Sequence, residues 1–287
     1  MFGRSRAGST LCPSCGMLVG VNDAKCLGCG RARPGLFGLT ALLRQHGLDD
    51  LFVPIVMWGC GAVYLASLAT DPSAIGAGGL LSLLSPGIES LFVLGASGSV
   101  PVFRYGRWWT ILSASWLHGG ILHIVLNMMS VRNLGPAVSE FYGGARTVII
   151  YFVAGAAGFL ASSFAGAYLT FLPGFLHGGL WTVGASAGIF GLLGAVLHYG
   201  YRGGSAHLRE LATRWILTGL VFGFLVPRID NWAHLGGLAG GYVASYWLDP
   251  LRPERGTHSL VAVICLVLSL LAIVASVVTG LPIVNPG

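Results

Sequence analysis

The chain has 287 residues, 54% of them apolar and 9% charged, with 45 glycines and a net charge of +6 from 16 basic and 10 acidic side chains. Ordinary soluble domains are about 25% charged, so composition excludes a soluble enzyme and a charged, disordered chain, and indicates a polytopic membrane protein. The basic surplus reports topology and contact with membrane lipid before it suggests nucleic acid, which is not an expected partner.

Residues 1–35 hold cysteines and basic residues where a signal peptide would carry an apolar run, so the first span is expected to direct insertion. Within them, Cys12-Pro-Ser-Cys15 is followed ten residues later by Cys26-Leu-Gly-Cys29. Two such knuckles place four thiolates around one tetrahedral zinc ion, and Gly16 and Gly30 ease the turns. A pair of disulfides is the alternative, disfavoured on the reducing side of a membrane. Four cysteines close the coordination sphere, so the zinc of this small ribbon is expected to be structural, with no metal or organic cofactor in catalysis. Whether the ribbon takes a protein partner or only folds its own segment is not decided by the spacing.

Residues 36–50 are read as a plain linker or an amphipathic interfacial segment, with Leu36, Leu39, Leu42 and Leu43 near helical spacing. Seven apolar spans follow, near 51–70, 119–139, 147–167, 181–199, 212–227, 232–248 and 259–280, each about long enough to cross a bilayer core. Between the first two lies a loop, 71–108, rich in Gly, Ser and Pro, and loops of that length are functional or disordered. Trp108, Trp109, Trp116, Trp181 and Trp232 are expected at the interface beside it. With the N-terminus inside, Arg4, Arg6, Lys25, Arg31, Arg33, Arg44, Arg132, Arg146, Arg202, Arg209, Arg214, Arg252 and Arg255 fall on the cytoplasmic side. Only Arg104, Arg107 and Arg228 lie opposite. This bias predicts a cytoplasmic N-terminus and an external C-terminus. Cys60 and Cys265, alone in apolar spans, read as core packing.

Polar side chains at membrane depth are costly and mark function by default. Three places qualify: His118-Gly-Gly-Ile-Leu-His123-Ile-Val-Leu-Asn127 in the second span, Gly184-Ala-Ser186-Ala-Gly188 in the fourth and Asp230-Asn-Trp-Ala-His234-Leu-Gly-Gly in the sixth. These spans all enter from the outer face, so His123, Ser186 and His234 share one depth. Counting helical rise from Leu180 or Trp181 puts Ser186 roughly 8 Å below that boundary. Gly184 and Gly188, with Gly236, Gly237, Gly240 and Gly241, are expected to let spans four and six approach until the imidazole activates the hydroxyl. His123 and Asn127, one turn apart, suit an oxyanion hole completed by the Ser186 N–H. Taken singly, each has a bland reading as helix packing, proton relay or interhelical bond. Asp230, four residues before His234, is expected to cap the sixth span, leaving a Ser-His dyad.

At this point residues 51–250 resemble the rhomboid intramembrane serine proteases, in RWWTILSASWLHGGILHIVLN, NLGP at 133–136, GASAGIFGLLGA at 184–195 and DNWAHLGGLAGG at 230–241. The resemblance implies an all-α fold with a six-helix core, Ser186 as nucleophile, His234 as base, and His123 with Asn127 stabilising the oxyanion. It also implies that Phe190 supports the histidine and that transmembrane proteins are substrates, entering laterally between spans two and five near the 227–231 turn. The domain order is then a ribbon at 1–35, a linker at 36–50, a protease core at 51–250, and 251–287 carrying a cytoplasmic loop, an added seventh span and an external tail. The host is expected to be a bacterial cell membrane. Two departures stand out: Ala187 where the family usually has glycine, and Thr110 where arginine usually follows the loop tryptophan. The rival readings are a non-catalytic relative that binds membrane clients, and a channel or transporter, for which the spans lack an acidic residue near mid-membrane.

Overall fold

A computed structural model describes residues 9–12, 14–20, 22–34, 51–70, 84–226 and 229–284. The linker at 36–50, the first part of the long loop (71–83), Arg4, Arg6, Arg44 and Arg228 lie outside the described residues. The fold is almost wholly helical apart from a hairpin, β1 (Ser9–Leu11) paired antiparallel with β2 (Leu18–Gly20). Each cysteine knuckle closes the same way. Gly16 and Gly30 adopt φ of 74° and 73° and return their N–H groups to the Cys12 and Cys26 carbonyls at 2.8 and 2.9 Å.

Nine α-helices follow among the described residues: α1 (Phe52–Thr70), α2 (Ile88–Leu94), α3 (Thr110–Ser113), α4 (Ile121–Tyr142), α5 (Gly144–Tyr168), α6 (Ser186–Arg202), α7 (Ala206–Leu225), α8 (Asn231–Trp247) and α9 (Gly256–Val284). Each of the seven long ones overlaps one of the seven apolar stretches, with ends displaced by up to six residues. By length and hydropathy alone, α1, α5 and α9 suffice to cross a membrane, and the segment running from α3 into α4 through a 90° bend adds a fourth. The others fall short for physical reasons. α6 and α8 have 17 residues each, about 25 Å at helical rise, and α7 carries Arg209, Glu210 and Arg214.

The most extensive packing is of α8 against α5 and α6, and glycine explains it. In lipid, helices associate where small residues bring backbones together. Gly237 and Gly241 face α6, where a Cβ would strike the backbone of Ala187 and of Gly191. Gly236 and Gly240 face α5, where a Cβ would lie 2.6 Å from Ala161 and from Ala157. The expected pairing of Gly184 and Gly188 with α8 is therefore corrected. Gly188 makes room for the Tyr151 ring of α5, Gly184 makes room for His123, and the α6 partner of Gly241 is Gly191, one turn further on. Gly241→Val should push α8 from α6 at a cost of about 2–3 kcal/mol, read as a fall of roughly 5–10 °C in thermal unfolding of the detergent-solubilised protein. Gly61→Ala, which meets nothing within 4 Å, is the control and should not lower it.

The long loop departs from expectation in its described part. From residue 84 it is a built element holding α2 and a π turn (Val100–Arg104), and it runs on into α3 and a 3-10 turn (Ala114–Trp116). It pairs with the chain ahead of α6: Ser97 and Thr182 exchange N–H···O bonds of 3.1 and 2.8 Å, and Ser99 N–H reaches the Gly179 carbonyl at 2.9 Å. The chain is thereby kept out of the helix up to Gly184, with Ala185 as the N-cap, so α6 begins at Ser186 instead of near Trp181, and the 8 Å depth counted on helical rise does not apply. Trp116 is buried against Gly59 of α1, whereas Trp108 is exposed.

Candidate active site

The two ends of α6 and α8 that start nearest each other carry the polar residues. Ser186 is the first residue of α6, preceded by Ala185 with no side-chain cap. The N–H groups of that first turn lack intrahelical acceptors. Gly184, at φ +133°, turns the extended strand into the helix, with its N–H bonded to the Ala114 carbonyl at 3.0 Å. A side chain there would sit 2.7 Å from His123 Nε2 and 3.7 Å from Ser186 Oγ, so both groups border the space over this glycine.

Ser186 Oγ lies 2.9 Å from His234 Nε2. The Phe190 ring, one turn along α6, stacks on the imidazole at 4.1 Å and 10° between planes. Phe190 is itself held from behind by α7, where a Cβ on Gly219 would meet its ring at 2.6 Å. His234 Nδ1 is buried with no partner among the described residues. Asp230 is N-terminal to α8 and is spoken for elsewhere: one carboxylate oxygen accepts from Ala233 N–H at 3.1 Å and the other from the Ser162 hydroxyl.

His123 Nδ1 accepts the Gly119 N–H at 3.3 Å, which places the ring proton on Nε2, the nitrogen facing Gly184. It is thus a donor toward the serine. Asn127 is buried, and one of its amide hydrogens goes back to the His123 carbonyl at 2.8 Å, leaving the second. Residue by residue, Ser186, His234, His123 and Phe190 converge, with Asn127 a turn behind His123.

Sequence reasoning assigned no role to His118, although the HxxxxH spacing displayed it. Its ring is fully buried, meets His123 edge to face at 5.1 Å, and its Nε2 accepts the Ala185 N–H at 3.5 Å. It therefore braces both the His123 ring and the residue that starts α6. The two departures from the family pattern also find places. The Ala187 methyl fits because Gly158 of α5 faces it without a side chain, while Gly237 of α8 lies against the Ala187 backbone. Thr110 is buried and bonds the Arg107 carbonyl at 2.8 Å, while Arg107, three residues earlier, supplies the buried guanidinium that anchors the loop.

Away from this site, the four cysteine sulfurs all lie within 4.8 Å of one another. Cys12 to Cys29 and Cys15 to Cys26 are 3.6 Å, close to the roughly 3.8 Å edge of a tetrahedron with zinc–sulfur bonds of about 2.3 Å and far from a disulfide. Burial raises the Cys12 thiol, but the N–H groups of Ser14 and Cys15 and the neighbouring Cys29 and Cys26 bring it down to about 6. This donor set fits zinc held by Cys12, Cys15, Cys26 and Cys29. Chelation is expected to unfold the ribbon and leave the helical bundle intact, seen as new proteolysis confined to residues 9–34 with an unchanged helical circular dichroism signal.

A serine hydroxyl bonded to an imidazole at the facing ends of two short membrane helices defines a polytopic helical membrane protein with a Ser-His pair. The family model described as the Rhomboid domain matches residues 105–250, just over half of the sequence. The chain is 34% identical over 189 residues to Rhomboid protease GluP of Bacillus subtilis (strain 168), covering 64% of this chain and 35% of that protein. It is 34% identical over 190 residues to RHOMBOID-like protein 5 of Arabidopsis thaliana, covering 61% and 54%, and 32% identical over 189 residues to that plant's RHOMBOID-like protein 6, mitochondrial, covering 60% and 54%. The chain belongs to the rhomboid family and is an integral membrane protein. It spans between a third and a little over half the length of these relatives, and since they come from a bacterium and a plant they lend no support to a bacterial membrane in particular.

Proposed function

We propose that the chain is an intramembrane serine endopeptidase that hydrolyses peptide bonds in or near transmembrane segments of membrane proteins. The single observation that carries this is the 2.9 Å contact between Ser186 Oγ and His234 Nε2 beneath the stacked Phe190 ring. His234 takes the Ser186 proton as Oγ bonds to the scissile carbonyl carbon, and the carbonyl electron pair moves to oxygen. The His123 Nε2–H, the free Asn127 amide hydrogen and the Ser186 N–H hold that oxyanion. His234 then gives the proton to the leaving nitrogen and the C–N bond breaks; a water that gives a proton to His234 bonds to the acyl carbon, the ester bond to Oγ breaks, His234 returns the proton to Ser186 Oγ, and the acyl group leaves as a carboxylic acid that ionises in water. The free Nδ1 of His234 and the engagement of Asp230 elsewhere favour a dyad over a triad.

Substrate entry between α4 and α7 agrees with the absence of extensive packing between them among the described residues, and with the apolar face that α7 exposes through Trp215, Val221, Phe222 and Leu225. A bound helix must unwind locally to present its carbonyl, so substrate residues of weak helix propensity are preferred. The ribbon at 1–35 is cytoplasmic in this reading, holds structural zinc and offers a surface to a protein partner, with the C-terminus outside and the core spanning 51–250. The test is labelling by a fluorophosphonate in proteoliposomes alongside cleavage of a single-span substrate. Labelling at Ser186 that tracks cleavage supports the proposal; cleavage undiminished in Ser186→Ala would end it.

A further inference from the structure

At the far end of the same helices, about 24 Å along α6 from Ser186 and about 20 Å along α8 from His234, lies a polar cavity of about 430 Å³, within the range of small-ligand sites. Arg146, Arg202, Arg252, Arg255, His258 and a single acid, Asp249, line it. Five elements meet here: the end of α6, the end of α8, the 248–255 turn, and the first turns of α5 and α9. The floor is built. The Arg146 guanidinium is buried and gives its Nη hydrogens to the carbonyls of Asp249, Arg252 and Pro253 at 3.2, 2.8 and 2.7 Å, and its Nε hydrogen to His258 Nδ1 at 3.1 Å. Its side-chain donors are thus engaged in shaping the 248–255 turn around the cavity.

The rim is different. Arg202 and Arg252 share one carboxylate, Asp249, at 3.3 and 3.4 Å, and Asp249 is held below the usual carboxylate range by the Leu251 N–H and by these arginines. Arg255 donates no side-chain hydrogen bond among the described residues. Even with Glu254 counted, which accepts the Arg146 N–H at 2.9 Å, two positive charges remain in excess. A guanidinium carries five N–H donors in a planar fork matched to phosphate oxygens, and most of those on the three rim arginines are unused. Beside the cavity, Trp247 and Tyr246 stand 78% and 66% exposed, the aromatic pair expected where a helix leaves hydrocarbon for headgroups.

We propose that this cavity binds a phosphate group, and that its place among aromatic residues at the membrane edge makes an anionic phospholipid headgroup the source, with acyl chains lying along the end of α8. The experiment uses the full chain in detergent and measures retained lipid by native mass spectrometry after adding phosphatidylglycerol or phosphatidylcholine. A second arm titrates inorganic phosphate against the bound lipid. Phosphatidylglycerol should be retained over phosphatidylcholine, and Arg252→Gln with Arg255→Gln should weaken it about 30-fold, each charge near an anionic lipid being worth roughly fivefold in affinity. Inorganic phosphate at millimolar concentration should leave the lipid in place. Fluorophosphonate labelling of Ser186 in the double variant should match the parent, showing that the bundle is intact. Equal retention of the two lipids, or undiminished phosphatidylglycerol binding in the double variant, overturns the site. Phosphate that binds tightly and alone overturns the lipid source.

Discussion

Replacing His234 by alanine is expected to lower cleavage of a membrane-embedded substrate by about a thousand-fold or more, because a serine hydroxyl without a bonded base is a poor nucleophile and general-base assistance is worth roughly 10² to 10⁴. Ser186→Ala should do the same. The informative result is the double variant. Two groups that act only through one another lose everything when either goes, so Ser186→Ala,His234→Ala should be no slower than either single change. Multiplicative losses would mean that the 2.9 Å contact is not the working one. Phe190→Leu should give a smaller loss, about tenfold, since it keeps the apolar wall but releases the imidazole from its 4.1 Å stack. All four proteins should unfold at nearly the same temperature as the parent, which separates chemistry from folding.

Arg107→Met is expected to be the most destabilising single change in the loop. The guanidinium is buried at 1% exposure, gives hydrogen bonds of 2.8 and 2.6 Å to the Phe92 and Ser276 carbonyls, and lies 4.1 Å over the Phe92 ring. Methionine fills the volume but removes both charge-assisted bonds, leaving the Phe92 carbonyl with the Gly95 N–H at 3.2 Å and the Ser276 carbonyl with the Thr279 hydroxyl at 3.4 Å. Two charge-assisted bonds of this kind sum to about 3 kcal/mol, a fall of roughly 6–12 °C in thermal unfolding. Ser276→Ala removes only the 3.2 Å bond from Trp109 Nε1 and keeps the carbonyl, so its effect should stay below about 1 kcal/mol. An unchanged melting temperature for Arg107→Met would show that the loop does not depend on this anchor.

Those two expectations differ in how visible they were in the sequence. Ser186 and His234 declare themselves because polar side chains stand out in apolar spans, and the alternating entry of the spans brings them to one level. Helix existence was legible for the same reason. What failed was anything set by partners distant in the chain. α6 could not be seen to start at Ser186, since residues 181–185 look as apolar as the helix and are kept out of it by the pairing of Thr182 with Ser97 and by the bond from the Gly184 N–H to the Ala114 carbonyl. The glycines of α8 were recognisable as packing residues, but a one-dimensional pattern does not say that Gly236 and Gly240 face α5 while Gly237 and Gly241 face α6. Arg107 was read as a loop charge that helps to set topology. Its role depends on α9, and no local pattern connects the two. His118 was hidden differently, standing beside the more evident His123.

The join between Arg107 and Ser276 links residues 169 apart in the chain, which sets an order for biosynthesis. A ribosome delivers α1 through α8, and so both halves of the Ser-His pair, before α9 exists. Until that helix arrives, the guanidinium has one of its two carbonyl acceptors missing, and the loop lacks the surface on which Gly280 meets Val93. Contacts of such long sequence separation form late. Nascent chains stalled before residue 256 should therefore be cut by added protease within 84–117, and completed chains should not. The last helix thus completes the anchor that holds the 84–117 segment in place.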